Sequence, residues 1–269
     1  MRAGVMVTAV AATAAFVSAQ GPGLGQTVAR VARVSGYLSE AQTPDVKQIV
    51  PPPPKEGDSR FANDMAIFRA TRSLEGSERW ALALADDELS TAALLRNYSC
   101  ALGVLITTEN APKTTTLLSR GWADANRASN TLKEFYGHKR PFQIAEGNVC
   151  VTPAGRARLE RNADYPSGHT AISWHVALML AELAPDAATG ILSRARAFGE
   201  SRVVCGVHNA SAVEAGRITA TAVFAAQHGS TEFRTDADAA RAELAALRQS
   251  GSVDAAACTK QEPLIQPAY

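Results

Sequence analysis

Leu118, Trp122, Ala125, Ser129 and Leu132 recur at spacings of four, three, four and three residues, a narrow face that only an α-helix keeps in register. Phe233, Ala237, Ala240, Leu244 and Leu247 repeat the pattern near the end of the chain, and Phe61, Met65 and Phe68 start it behind a capping Asp58 or Ser59. The segment Thr170 to Leu183 is apolar nearly all round, as a buried central helix is. A further stretch, from His208 to about Gln227, is rich in Ala, Val, Ile and Thr. Strand-like alternation is nowhere sustained. The chain is therefore expected to be all-α, and 269 residues with 46% hydrophobic side chains suffice for one large helical domain.

The ends read differently from the middle. Arg2 is followed by an apolar run from Val5 to Val17 and the small pair Ser18-Ala19, the pattern of a secretory signal peptide spanning 1–19. The run is short for a membrane span, and no later stretch is long enough. A periplasmic or secreted protein without a membrane span is expected. Residues 20–57 form an arm whose Pro51–Pro54 run is forced into extended polyproline backbone. The helical domain then occupies 58–248 and a loose tail 249–269. Four cysteines, Cys100, Cys150, Cys205 and Cys258, suggest two disulfides in an oxidising compartment, with three connectivities open. They lack the close pairing of a zinc site, so no metal is expected there. A net charge of +1 with no long basic run argues against a nucleic-acid-binding surface.

Three separated pieces carry chemistry. They are Lys133 with six residues to Arg140-Pro141, then Pro166-Ser167-Gly168-His169, then Ser201-Arg202 with five residues to His208. Lys133, Arg140 and Arg202 are three cations of the kind that grip phosphoryl oxygens, the guanidinium forks bidentately. Ser167 and Gly168 stand just before the apolar helix, where free amides and the positive dipole end favour an anion and glycine admits it closely. His208 and His169 supply an attacking group and a proton donor, one neutral and one protonated in mild acid.

These pieces, in this order, resemble the signature of the superfamily joining bacterial non-specific acid phosphatases, lipid phosphatases and vanadium haloperoxidases, most closely the class A bacterial acid phosphatases. The similarity runs from about Pro51 to His228, taking in Asn63-Asp64, Tyr165 through Leu183 and Gly199 through Arg217. The resemblance implies an all-helical, cofactor-free phosphatase acting on small phosphomonoesters and releasing inorganic phosphate, with vanadate as inhibitor. It implies phosphate binding by Lys133, Arg140, Ser167, Gly168 and Arg202, a phosphohistidine on His208, and leaving-group protonation by His169. It also implies a Cys150–Cys205 pair, leaving Cys100 with Cys258. Relatives commonly self-associate, so a homo-oligomer stays open. His138, His175 and His228 match no motif position and read as structural or surface residues.

One position departs from the pattern. Four residues after the nucleophile the class A enzymes carry an Asp that accepts the Nδ1 proton; here it is Ala212. On a helix that position shares the face of His208, about 40° away. Ser211 is then the nearest substitute acceptor, since Glu214 points about 240° round. Reduced activity is expected, with a phosphate-binding protein that has lost turnover, or a vanadium-dependent haloperoxidase, as the alternatives.

Overall fold

The computed structural model describes Met1 and residues 34–269; apart from Met1, the expected signal peptide and the arm as far as residue 33 lie outside the described residues. Eleven α-helices and no strand occur among the described residues. In chain order they are α1 (Val46–Ile49), α2 (Ser59–Thr71), α3 (Glu78–Ala85), α4 (Thr91–Leu102), α5 (Pro112–Tyr136), α6 (Pro153–Glu160), α7 (Gly168–Leu183), α8 (Ala188–Val204), α9 (Ala210–Gln227), α10 (Thr231–Ser250) and α11 (Ala255–Gln261).

Helix α7 is the hub, packed against α5, α8, α9 and α10. Its apolar circumference explains why: Ile172, Val176, Met179, Leu180 and Leu183 are buried against neighbours on several sides. Two glycines set the spacing near its start. A Cβ on Gly216 would lie 2.7 Å from the Ser167 carbonyl oxygen, so only glycine lets α9 come this close to the first turn of α7. Gly206, with φ +75°, turns the chain at the end of α8 toward α9.

The described part of the arm, from residue 34, is held at two places. Asp124 of α5, fully buried, accepts from the Tyr37 amide (2.8 Å) and from Gln227 Nε2 (2.8 Å). Further along, Tyr165 Oη donates to the Pro51 carbonyl (2.6 Å), laying the proline run beside the loop that leads into α7. The tail is more ordered than its composition suggests. It contains α11, with Asp254 as N-cap, and Cys258 bonds Cys100 of α4. Cys150 bonds Cys205, the residue that caps α8. Both pairs are those the resemblance implies.

Candidate active site

Arg202 lies in the last turn of α8, and the chain then reverses at Gly206 so that the amides of Val207 and His208 both donate to the Arg202 carbonyl (3.1 Å each). The five-residue spacing is thus the length of one helix stop. His208 stands outside α9, whose N-cap is Asn209. This corrects the same-face argument: residue 212 is the third residue of α9, not a helical neighbour of His208. Ala212 itself is fully buried, packed in the cluster that includes Tyr165, while its carbonyl accepts from the Ser167 amide (2.8 Å).

The His208 imidazole is held at both nitrogens. Nδ1 is 2.8 Å from Asp164 Oδ1, and Nε2 is 3.1 Å from Arg140 Nη1. A guanidinium only donates, so Nε2 carries the lone pair and Nδ1 carries the proton. Burial, reinforced by the Arg140 charge, pushes His208 down to about 3, so the ring is neutral in mild acid. Asp164 stays ionised. Burial opposes this, but hydrogen bonds from His138 and His208 outweigh it. A carboxylate therefore does meet His208 Nδ1, and it comes from the loop before α7. Ser211 is not the substitute: its hydroxyl (2.5 Å) and amide (2.9 Å) both donate to the buried Asp64 of α2. His138 is likewise more than a surface residue, because its Nδ1 lies 3.3 Å from Asp164 Oδ2 and burial is outweighed by that bond, raising its pKa.

The three cations are neighbours: the Arg140 charge acts on Lys133, and the Arg202 charge on Arg140. Arg140 is locked by its Nε to the carbonyls of Leu159 (3.0 Å) and Asn162 (2.9 Å), and by Nη1 to that of Val207 (2.6 Å). Lys133 sits in the last turn of α5 with Nζ on the Ala163 carbonyl; burial first, then the Arg140 charge, lowers it to about 7. Arg202 is fully buried, yet among the described residues its Nε and Nη1 have no partner, and Nη2 alone is engaged, by Asp87 Oδ1 at 2.6 Å. Two buried guanidinium donors without a protein acceptor suit an oxyanion that comes to them.

Ser167 is the N-cap of α7, its hydroxyl accepting from the Thr170 amide (3.3 Å). The Ser167 amide is used by Ala212, so the helix offers the amides of Gly168 and His169, which have no intrahelical acceptor. A Cβ on Gly168 would stand 3.6 Å from Lys133 Cε, which places this residue beside the lysine. His169, partly exposed, directs Nε2 to the Asp87 carbonyl at 3.1 Å. Burial, then the Arg202 charge, lowers its pKa well below 6.5, and the Arg140 charge also reaches it. His175 is buried on α7, and His228 Nδ1 bonds the Phe224 carbonyl, both away from this cluster.

The sequence comparisons agree with this construction. Residues 114–235 match the PAP2 superfamily. An acid phosphatase of Zymomonas mobilis is 43% identical over 203 residues, covering 74% of this chain and 75% of that protein. Non-specific acid phosphatases of Providencia stuartii (37% identical, 79% of this chain and 86% of that protein) and Salmonella typhimurium (31%, 78% and 84%) are also similar. The fold and site define a helical phosphatase of the PAP2 superfamily. Within it, the chain belongs to the bacterial non-specific acid phosphatases and is an acid phosphatase.

Asp164, Asp64, Asp87 and His138 were not legible as site residues. Asp164 had one available signal: it lies three residues before Ser167, on the motif's own loop.

Proposed function

We propose that this acid phosphatase hydrolyses small phosphomonoesters in two steps through a phosphohistidine on His208, without a metal or other cofactor. The observation that carries the reading is the Arg140 Nη1 contact to Nε2, which requires a lone pair on the nitrogen that faces the cations. When the phosphoryl group enters, the Arg140 donor passes from Nε2 to a phosphoryl oxygen. Arg202 Nε and Nη1, Lys133 Nζ and the amides of Gly168 and His169 take the others. Nε2 then attacks phosphorus, the bond from phosphorus to the ester oxygen breaks, and His169 gives that oxygen its proton. The anion offsets the Arg202 and Arg140 charges that depress His169, so substrate binding favours the protonated acid. In the second step neutral His169 takes a proton from water as the water oxygen bonds to phosphorus, the bond from phosphorus to Nε2 breaks with its electron pair returning to His208, and inorganic phosphate leaves.

Export to the periplasm or medium fits the N-terminal charged and apolar pattern together with the two disulfides. No described helix is long and apolar enough to cross a membrane.

The test is a rapid quench in base of enzyme mixed with p-nitrophenyl phosphate, followed by peptide mass spectrometry. Phosphate is expected on His208, and His208→Ala is expected to lose the label and at least about 10⁴ of kcat. Chelators should leave turnover unchanged and vanadate should compete with substrate. Full activity in His208→Ala, or label confined to another residue, overturns the proposal.

A further inference from the structure

The class A pattern leaves this chain without a carboxylate at position 212, yet His208 is not unaccompanied. Asp164 is fully buried, and each of its oxygens is bonded twice. Oδ1 accepts from His208 Nδ1 (2.8 Å) and the Asn209 amide (3.3 Å); Oδ2 accepts from Asn209 Nδ2 (2.8 Å) and meets His138 Nδ1 (3.3 Å). Its own amide donates to the His138 carbonyl (2.8 Å). The carboxylate has one place to be, and that place is against the nucleophile.

We infer that Asp164 is the positioning residue of this enzyme, a carboxylate relocated from the third residue of α9 to the loop before α7 that does the work Ala212 cannot. This rests on His208 being the nucleophile. Asp164 acts through His208 in two ways. It fixes the tautomer that leaves the Nε2 lone pair free, and its charge stabilises the imidazolium as the bond to phosphorus forms. Asn209 supports it from the N-cap of α9, and its side-chain donor points at Asp164 rather than at its own helix.

The geometry also says why Asn cannot stand in. An amide at 164 must turn its NH₂ group toward either His208 or Asn209 Nδ2. Facing Asn209 it opposes another donor. Facing His208 it forces the proton onto Nε2, where Arg140 Nη1 already donates.

The same logic sets the outcome for Ala212→Asp. In the native background a second carboxylate adds no missing function and crowds Asp164, so no gain in kcat is expected. In an Asp164→Ala background the same substitution restores the family's arrangement and should recover at least about tenfold. That dependence on background belongs to two residues sharing one role.

The experiment is a cycle of wild type, Asp164→Ala, Asp164→Asn, Ala212→Asp and the Asp164→Ala/Ala212→Asp double variant, with His208→Ala as control. It is read as kcat on p-nitrophenyl phosphate and Ki for inorganic phosphate. Both Asp164 single variants should lose about 10² to 10⁴ in kcat, the upper end being the loss seen when a serine protease triad loses its Asp charge, with Ki within about threefold. Nitrogen-15 NMR of histidine-labelled wild type should show neutral His208 protonated at Nδ1. Asp164 variants with kcat within about threefold of wild type, alongside an inactive His208→Ala, overturn the inference. So does an Nε2–H tautomer in wild type, which requires no variant to fold. An active His208→Ala instead overturns the phosphohistidine reading beneath it.

Discussion

His208 and His169 are two imidazoles beside one cluster of cations, and their surroundings hold them in opposite tautomers. Around His208 the bonds are complete: a carboxylate at Nδ1, a guanidinium at Nε2, a backbone carbonyl for the amide. Around His169 they are not. Its Nε2 faces a carbonyl, which accepts, so that nitrogen bears the proton, and the neighbouring Arg202 keeps two donors unbonded. In the proposed mechanism the nucleophile flank is organised by the protein before ligand arrives, whereas the leaving-group flank is completed by the ligand. A group that must attack gains from being fixed in advance. A group that must change protonation gains from a charge balance the substrate itself alters.

The comparison breaks most visibly at His169. His169→Asn keeps a polar side chain but cannot deliver a full proton, so loss should track how much the leaving group needs one. On an alkyl phosphate about 10² to 10⁴ of kcat should disappear; on p-nitrophenyl phosphate, whose leaving group hardly needs a proton, the loss should stay within about tenfold. Steady-state kinetics on the two substrates decides it. Equal losses place His169 in the cradle as a ligand rather than at the leaving oxygen.

The asymmetry also explains what could be read from the chain. The all-α fold was legible because α5 and α10 carry uninterrupted helical periodicity and α7 is a long run apolar nearly all round, and the cations because their spacings are local: Arg202 to His208 is one helix stop. Asp164 was not, because an orienting carboxylate is defined by where a loop folds back across 44 residues of sequence, which no periodicity encodes. Ser211 looked available for the same reason. Nothing local shows that Asp64, 147 residues earlier, would take both its donors. His208 was read as helical because Ala210 onward is helical, although Asn209 is the true cap. Helix α8, mixed around its circumference with buried Arg194, Glu200 and Arg202, gave no narrow apolar face to detect.

Lys133 sharpens the comparison through pH. Its amine is lowered to about 7, so it is charged below that and loses its proton as pH rises through it. Anion binding should weaken over the same window. Sulfate is the useful probe, since it does not titrate there. Its competitive Ki in wild type should rise as pH passes from about 6 to about 8, by up to about tenfold. In Lys133→Arg, where the charge persists, that rise should flatten. The same depression has a stability consequence with a definite sign. Between about 7 and the ordinary lysine value the unfolded chain holds a proton the folded one has lost, so this residue makes stability increase with pH across that range. Phosphate-free thermal denaturation at pH 7 and pH 9 should show the contribution vanish in Lys133→Met.

The smallest effect expected is at Asp87, and it probes the flank that waits for its ligand. Asp87 Oδ1 bonds Arg202 Nη2 at 2.6 Å and lies 3.5 Å from His169 Nε2, so before substrate binds it partly neutralises the guanidinium that the phosphoryl group will use. Asp87→Asn removes that competition and should tighten inorganic phosphate binding by about threefold to tenfold. It also leaves the Arg202 charge bearing more heavily on His169, whose proton is already weakened by it, so the acid should be lost earlier. The alkaline limb of kcat should therefore move to lower pH by less than about one unit, while the Asp87 carbonyl still holds the ring in place. On the nucleophile flank nothing should change: the His208 tautomer, read by nitrogen-15 NMR, should match wild type. A shifted His208 resonance pattern, or phosphate binding weakened rather than tightened, means that Asp87 organises the whole cradle, and the division between a finished flank and a waiting one is wrong.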